Sequence, residues 1–388
     1  MFYFKHGSGM FFSNIILSIL LALQIATSIF LAGMTFSKVE SANNKISVFD
    51  TIISVDGMYV MPAVELVSGD KDIYNYVDKI DGIKEIIRIY EGFEELDGLD
   101  FPLRIKFYDD FVIDNCKLPL SKGKWFTKKS YGDYVPVVIN QETKNLKLGK
   151  TFKIRNTNFK IIGVLGKRQQ FVTFSNGGNN ENITSLVGNY DDVQPMIICP
   201  SSFFSQKYLN SFMQEPNFIV LFKDMKEADK KICIKELNDI GFTKSISKLY
   251  SDGKEYAKNQ LITLSPYIII SFLLALIGVA SSITLIMYKQ MKKFSIFYIC
   301  GIPWKNIKKI IPIYYTYLVL LALGIYGIIY VCCINMEILL YYEVMLTIKE
   351  WLIIAIIFIF IFIASIVPIN IIFKKNQPID ILYRQSNN

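Results

Sequence analysis

Residues 261–288 read LITLSPYIIISFLLALIGVASSITLIMY, and no charged side chain interrupts them. A helix rises about 1.5 Å per residue, so about 20 apolar residues cross the roughly 30 Å hydrocarbon layer of a bilayer. The stretch is long enough to span. Three others match it: 11–36, 310–336 and 351–373 are equally free of Asp, Glu, Lys and Arg. Residues 37–260 are charged at ordinary globular density and suffice for one or two cores of their own. The pattern predicts an α-helical membrane bundle of four transmembrane helices, one plus three, carrying a large α+β domain of two subdomains. Composition agrees, because 52% hydrophobic residues and a mean hydropathy of +0.33 lie between a soluble domain and an all-membrane bundle.

Charge sets the orientation. Residues 34–261 hold 31 Lys/Arg against 30 Asp/Glu, so the net charge of +8 lies elsewhere. It sits on Lys5, on Lys289, Lys292, Lys293, Lys305, Lys308 and Lys309, and on Lys374, Lys375 and Arg384. With four spans those three segments share one side, and loops rich in Lys and Arg stay cytoplasmic. The expected order is therefore an N-terminus and first span over 1–36, an extracytoplasmic domain over 37–260, and a second span over 261–288. A cytoplasmic segment over 289–309, a third span over 310–336, an outer loop over 337–350, a fourth span over 351–373 and a cytoplasmic tail over 374–388 follow. Such a chain is a multi-pass protein of the plasma membrane with both termini cytoplasmic. The cations are juxtamembrane, so the basic balance implies membrane lipids and no nucleic acid. A signal peptide cut near Ala32–Gly33 is the competing reading of the first span, but an h-region of about 7–15 residues is shorter than this run.

Within 37–260, Lys45–Val60 reads as extended, with apolar residues at Ile46, Val48, Ile52 and Val55. Helical spacing follows over Asp70–Ile80, and strands are expected at Ile86–Tyr90, Leu103–Phe107 and Phe111–Ile113. A β-rich subdomain inserted over about 118–175 is expected to hold strands at Val135–Ile139, Thr151–Ile154, Phe159–Val164 and Phe171–Phe174, with Trp125 and Phe126 packed inside it. The polar run 175–182 reads as a loop, Phe218–Phe222 as a strand, and Glu227–Asn238 as a helix ended by Gly241.

Several chemistries are excluded or weakened. His6 is the single histidine, which removes histidine-based zinc sites and most nucleophilic catalysis. Gly149-Lys150-Thr151 lacks the first glycine of a phosphate loop, since Lys144 stands there, and a strand follows where a helix is needed. Asn182-Ile183-Thr184 is a formal glycosylation sequon of the kind chance supplies. Asp109/Asp110, Glu94/Glu95 and Asp191/Asp192 read as solvated loop charges. Cys116, Cys199 and Cys233 are an odd set that reads as buried thiols, with room for at most one bridge. No ionisable side chain lies in the spans, which argues against a proton- or ion-coupled transporter. Small residues cluster at Ala275, Gly278 and Ser282 and at Ala322, Gly324 and Gly327; they serve either packing within one four-helix unit or a dimer interface.

Four ordered motifs, Gly123-Lys-Trp-Phe-Thr127, Val135-Pro-Val-Val-Ile-Asn140, Leu146-Lys-Leu-Gly149 and Phe159-Lys-Ile-Ile-Gly-Val-Leu165, resemble the periplasmic core domain of macrolide-exporter (MacB)-type permeases. Met291–Ile307 is similar to the cytoplasmic segment of FtsX-like permeases, and Gln377–Leu382 to their closing tail. One departure is Phe294, where the family carries an acid after the basic pair. The resemblance implies an ABC transporter permease acting as a homodimer or heterodimer with a cytoplasmic ABC ATPase subunit. ATP and Mg would bind that ATPase, and this chain would hold no cofactor, metal or catalytic residue of its own. Export or release of a peptide, lipid-linked or drug-like substrate is the leading expectation; control of an extracytoplasmic partner such as a cell-wall hydrolase is the alternative. Pro303 suits a helix's first turn after the flexible Gly301, and Trp304, Ile307 and Ile311 form one stripe. With Phe294 and Phe297, that stripe is the expected ATPase-docking surface, against a plain interfacial anchor as the alternative.

Overall fold

Each charge-free run is helical in the computed structural model, which describes residues 2–63, 73–96, 98–127, 132–166, 170–174, 182–189, 194–335 and 348–375. The first run is divided. Helix α1 (Phe2–Ser13) ends at Asn14, whose side-chain amide donates to Met10 O at 3.0 Å, and α2 (Ile15–Ser47) starts anew. Among the described residues, three helices are long and apolar enough to cross a membrane: Ile15–Ser47, Ile246–Ile299 and Trp304–Cys333. A shorter apolar stretch, Ile354–Ile363, lies in the helix Ile348–Lys375.

The chain divides into two compact units, 1–41 with 258–388, and 42–257. In the second unit the expected extended stretch 45–55 is not a strand. Helix α2 continues to Ser47, and successive turns follow in which Phe49 N bonds Ile46 O, Ile52 N bonds Phe49 O, and Val55 N bonds Ile52 O. The apolar residues Ile46, Phe49, Ile52 and Val55 recur every third position, which suits tight turns burying one edge and defeats an alternating strand. Strand β1 is Gly57–Pro62. Helix α3 (Ile73–Val77) covers part of the predicted 70–80 helix; residues 70–72 lie outside the described residues.

The predicted strand at 86–90 is two strands. Strand β2 (Ile83–Ile87) pairs with β13 (Phe218–Phe222), while β3 (Ile89–Glu94) pairs with β4 (Leu103–Tyr108) in a different sheet. Arg88 stands at the crossing and bonds Asp78 at 3.3 Å. The first sheet has the order β14-β1-β13-β2, with β14 at Gly241–Ser245. Alternation in β13 sends Phe218, Val220 and Phe222 toward a core shared with helix Glu227–Ile240, and Ile219 and Leu221 toward the core between sheets. Gly241 ends that helix as expected, and a Cβ there would lie 2.2 Å from Met61 O, so the close approach of β1 requires glycine.

The second sheet runs β12-β3-β4-β11-β6-β8-β5, with β7 paired to β8. Its members are β5 (Leu120–Gly123), β6 (Val135–Ile139), β7 (Thr151–Ile154), β8 (Thr157–Leu165), β11 (Met196–Pro200) and β12 (Met213–Gln214). Two of its pairings, β4 with β11 and β6 with β8, are parallel. The sheet takes in β3, β4 and β11, which lie outside the expected inserted stretch 118–175. Strand β9 (Gln170–Val172) pairs with β10 (Val187–Asn189) in a small separate sheet, and most of the polar run between them, 175–181, lies outside the described residues.

Phe111–Ile113 is the other corrected strand. It belongs to helix α4 (Asp110–Asn115), whose start is set by Asp109 Oδ1 accepting from Phe111 N at 2.8 Å. Asp109 is thus no loop charge. Burial, then the neighbouring Glu85 and Asp110 carboxylates, push its pKa up to about 6. Its folded pKa exceeds the unfolded value, so its ionisation costs stability as pH rises from about 4 toward 6. Asp109→Asn keeps the capping oxygen and removes the charge. It is expected to raise stability by about 1–3 kcal/mol at pH 7.5 and to change nothing at pH 4, read by thermal unfolding at both values.

The sequon has a structural use: Asn182 Oδ1 accepts from Thr184 N at 2.9 Å and caps a 3-10 turn over Ile183–Leu186. Gly149 adopts φ +82 in a turn before β7, so Gly149-Lys150-Thr151 is followed by a strand. Cys116, Cys199 and Cys233 are free and buried. Trp125 and Phe126 are half-buried rather than enclosed, packed on the core with Trp125 Nε1 donating to Ile113 O at 2.8 Å.

Candidate functional site

The segment joining helix α7 (Ile246–Ile299) to α9 (Ile310–Asn335) carries the predicted docking residues. Helix α7 ends in a two-bond left-handed turn: Ile302 N bonds Phe297 O and Gly301 N bonds Tyr298 O, each at 3.0 Å. Gly301 has φ +91, which explains the residue there. Pro303 is the cap of the short helix α8 (Trp304–Ile307), one position before the first turn, and its carbonyl accepts from Asn306 N at 2.8 Å.

The expected apolar stripe does not lie on the surface. Phe294, Ile307 and Ile311 are buried in the core of the helical unit. Trp304 is half-buried, 4.7 Å from the ring of Phe373, and its Nε1 donates to Phe373 O at 3.3 Å on helix α10 (Ile348–Lys375). Phe297 is half-buried against Phe2 and His6. These side chains hold the segment to its own bundle, because four apolar helix ends offer them a dry contact that a helical wheel of one element cannot reveal. What remains exposed is the tip of α7: Ile296 at 46%, Tyr298 at 40% and Ile299 at 66%.

The small residues also separate. Ala275 is buried, and a Cβ on Gly278 would stand 2.5 Å from Gln24 Oε1, so the α7 cluster receives the Gln24 amide of α2. Ser282 is half-buried on the same helix. Nearby Ser28 Oγ and Ser271 Oγ are 2.8 Å apart, and Ser18 Oγ and Tyr314 OH 3.1 Å apart. Such interhelical bonds in hydrocarbon contribute about 0.6–2 kcal/mol each. Gly324 and Gly327 differ, since a Cβ on either meets nothing within 4 Å. Pro266 cannot donate to Ile262 O from within α7; Ser265 Oγ does so instead at 3.1 Å.

A second constellation, in the 42–257 unit, escaped the sequence reading. Lys106 on β4 is fully buried, with Nζ 2.6 Å from Glu215 Oε1 and 2.9 Å from Glu91 Oε2. Arg104 Nε bonds Glu91 Oε1 at 2.6 Å. Glu215 also accepts from Thr173 Oγ1 at 2.8 Å and from Phe174 N, and Phe171 lies 4.8 Å beneath Lys106 Nζ. Burial alone would raise the Glu91 carboxyl, but the Arg104 bond and the Lys106 charge outweigh it and hold its pKa below the usual value. Burial and then Glu215 push the Tyr108 phenol well up, so it stays neutral, donating to Val172 O at 2.9 Å and accepting from Val172 N at 2.8 Å. The cluster fastens 170–174 to the sheet by satisfied charges. Its signal was present: Arg104 and Lys106 alternate with Leu103, Ile105 and Phe107, which puts two cations on one face of a strand.

No protein-family model matches the sequence, and no curated protein matches it. Solved structures do. The extracellular domain of the noncanonic ABC-type transporter YknZ from Gram-positive bacteria is 15% identical with a TM-score of 0.27, over 48% of this chain and 92% of that one. The periplasmic region of MacB from Actinobacillus actinomycetemcomitans is 14% identical with a TM-score of 0.30, over 55% and 98%. A permease-protein domain from Porphyromonas gingivalis is 12% identical with a TM-score of 0.23, over 48% and 83%. Over about half its length, the chain is similar to the extracellular and periplasmic domains of an ABC-type transporter, of MacB and of a permease.

Proposed function

We propose that the chain is the permease-type membrane subunit of an ABC transporter, with four spans, cytoplasmic termini and an extracytoplasmic 42–257 unit. ATP and Mg bind a separate cytoplasmic ABC ATPase, the permease works as a dimer, and hydrolysis inside drives export or release of a peptide, lipid-linked or drug-like substrate outside. The observation that carries the reading is the tip of α7. The charge-free run ends at Tyr288, and the helix continues to Ile299, about 16 Å further. Ile296, Tyr298 and Ile299 are therefore exposed beyond the hydrocarbon, flanked by Lys292, Lys293 and Lys305. Exposed apolar residues ringed by cations in water are a partner surface, and a groove on an ATPase fits a helix end of this kind. Phe294, where the resemblance leads one to expect an acid, is instead packed 6.1 Å from Phe373 and holds α7 to α10.

The docking surface is thus Ile296, Tyr298 and Ile299 beside the Gly301 turn, with Trp304, Ile307 and Ile311 as its supports. Ile299→Asp is expected to cut ATPase co-purification and stimulated hydrolysis at least about tenfold. Helical content and thermal unfolding should stay unchanged, because Ile299 contributes little to the core. Full complex formation by this variant would remove the tip from the interface. Control of a cell-wall hydrolase through the 42–257 unit is the second reading; altered lysis without altered efflux would favour it.

A further inference from the structure

Helix α1 and the last turns of α7 enclose a cleft of about 120 Å³ within the helical unit. Its polar edge is made by His6, Gln290 and Lys293, and its floor by Phe294 and Phe297. Gly9 opens the rim, since a Cβ there would meet nothing within 4 Å. The His6 ring is held at the edge between Phe2, 4.3 Å away, and Phe297, 4.6 Å away. Gln290 is only 9% exposed, lines the cleft, and its amide has no hydrogen-bond partner among the described residues. Its amide is therefore free to bond a group that enters the cleft.

The charge at the cleft is one-sided. Residues 1–36 and 261–336 contain no Asp or Glu, so Lys293, which lines the cleft, and Lys5, the neighbour of His6 on α1, meet no carboxylate from these stretches. Burial, then Lys5, then Lys293, lower the pKa of His6 from its ordinary value. The shape and charge are therefore those of a site awaiting an anion with several acceptor oxygens. Carboxylates offer two oxygens; a phosphate offers more, and three donor-bearing side chains line this one cleft. Depth points to the source. Phe4 and Phe12 are 64% and 63% exposed on α1, just before the first span, as on a helix lying at the headgroup level. Basic pockets between spanning helices on the cytoplasmic side suit phospholipid headgroups.

We propose that Lys293, Gln290 and His6 form a binding site for a phosphate group, supplied by the headgroup of an anionic phospholipid. The site goes beyond the transporter reading and needs only the membrane-spanning helices, so it stands or falls independently of any ATPase. An anion in the cleft favours imidazolium, so binding strengthens as pH falls through the range where His6 gains its proton.

The test uses the full chain in phosphatidylcholine nanodiscs with and without phosphatidylglycerol. Native mass spectrometry reads retained lipid, and the ring resonance of His6, the single histidine, reads the site directly. One phosphatidylglycerol is expected to be retained per chain, more firmly at pH 6 than at pH 8. Gln290→Leu and Lys293→Gln should each weaken retention about tenfold, as loss of a charge-assisted or buried hydrogen bond does. Lys292→Gln, which removes an exposed neighbouring charge outside the cleft, should leave it unchanged. A second arm adds inorganic phosphate to lipid-depleted protein in detergent. A His6 shift there and none with phosphatidylglycerol would make the source a free phosphate; a shift with phosphatidylglycerol makes it the lipid. Failure of His6 to respond to either, or equal losses in Lys292→Gln and Lys293→Gln, overturns the site.

Discussion

Lys106→Met is expected to lower the stability of the 42–257 unit by about 3–5 kcal/mol, because it strands a buried carboxylate. Glu215 has only 2% of its side chain exposed, and Lys106, 2.6 Å away, is its one ion-pair partner among the described residues. Methionine fills most of the lysine's volume, so the loss reports charge and not a cavity. Glu91 keeps Arg104, at 2.6 Å, and is the lesser casualty. For a unit of this size the loss corresponds to a melting temperature lower by roughly 10 °C. A second change decides the mechanism. Glu215→Gln added to Lys106→Met keeps an oxygen for Thr173 and Phe174 while removing the orphaned charge, so the double variant should recover much of the loss. The same cluster predicts where the single variant opens first: hydrogen exchange over 170–174 should accelerate before the sheet exchanges, since Glu215 fastens that segment. Equal melting of the single and double variants would show that the network is not held by charge.

Gly278→Leu is expected to cost about 3 kcal/mol in the helical unit, while Gly324→Leu costs nothing measurable there. The difference lies in what each glycine faces. A Cβ on Gly278 meets Gln24 Oε1 at 2.5 Å, whereas one on Gly324 meets nothing within 4 Å. Gly278→Ala asks only the tip of the Gln24 amide to turn aside, so its cost should stay below about 1 kcal/mol. Leucine takes the space that the amide occupies and drives α2 from α7. Thermal unfolding in detergent would show the graded series. Chemical cross-linking of the same variants reads a second quantity: if the open Gly324–Gly327 face meets a second chain, Gly324→Leu lowers the dimer yield with unchanged unfolding. A large unfolding shift with Gly324→Leu would contradict the open face.

The candidate site was half legible. Gly301 and Pro303 announced a turn and a new helix, and both serve one, because a positive φ and a missing N–H are properties of single residues. The stripe Trp304, Ile307 and Ile311 was equally visible, but its partner was not. A helical wheel says that one face is apolar and is silent about whether a protein groove or the chain's own helix covers it. Phe373, 69 residues away in sequence, supplies both the ring and the carbonyl that hold Trp304. The phosphate cleft was hidden for the same reason, since His6 and Gln290 come from opposite parts of the chain.

What the sequence by itself determined are the features set within a few residues. The charge-free runs are helices because 20 consecutive apolar residues can satisfy their backbone in hydrocarbon only that way. Val135–Ile139, Thr151–Ile154 and Phe218–Phe222 are strands with the bounds that short runs of β-forming residues between turns assign. Tertiary structure decided the features that depend on distant partners. It split 83–94 at Arg88 between two sheets, since β13 and β4 compete for neighbouring residues of one extended run. It turned 46–55 into consecutive turns around a shared core. It made Phe111–Ile113 helical once Asp109, largely buried, could cap the first turn. It allowed Lys106 to lie inside a sheet, because two carboxylates from β3 and from position 215 arrive at the same point. Local propensity acts over three or four residues; burial and ion pairing are settled only when segments a hundred residues apart meet.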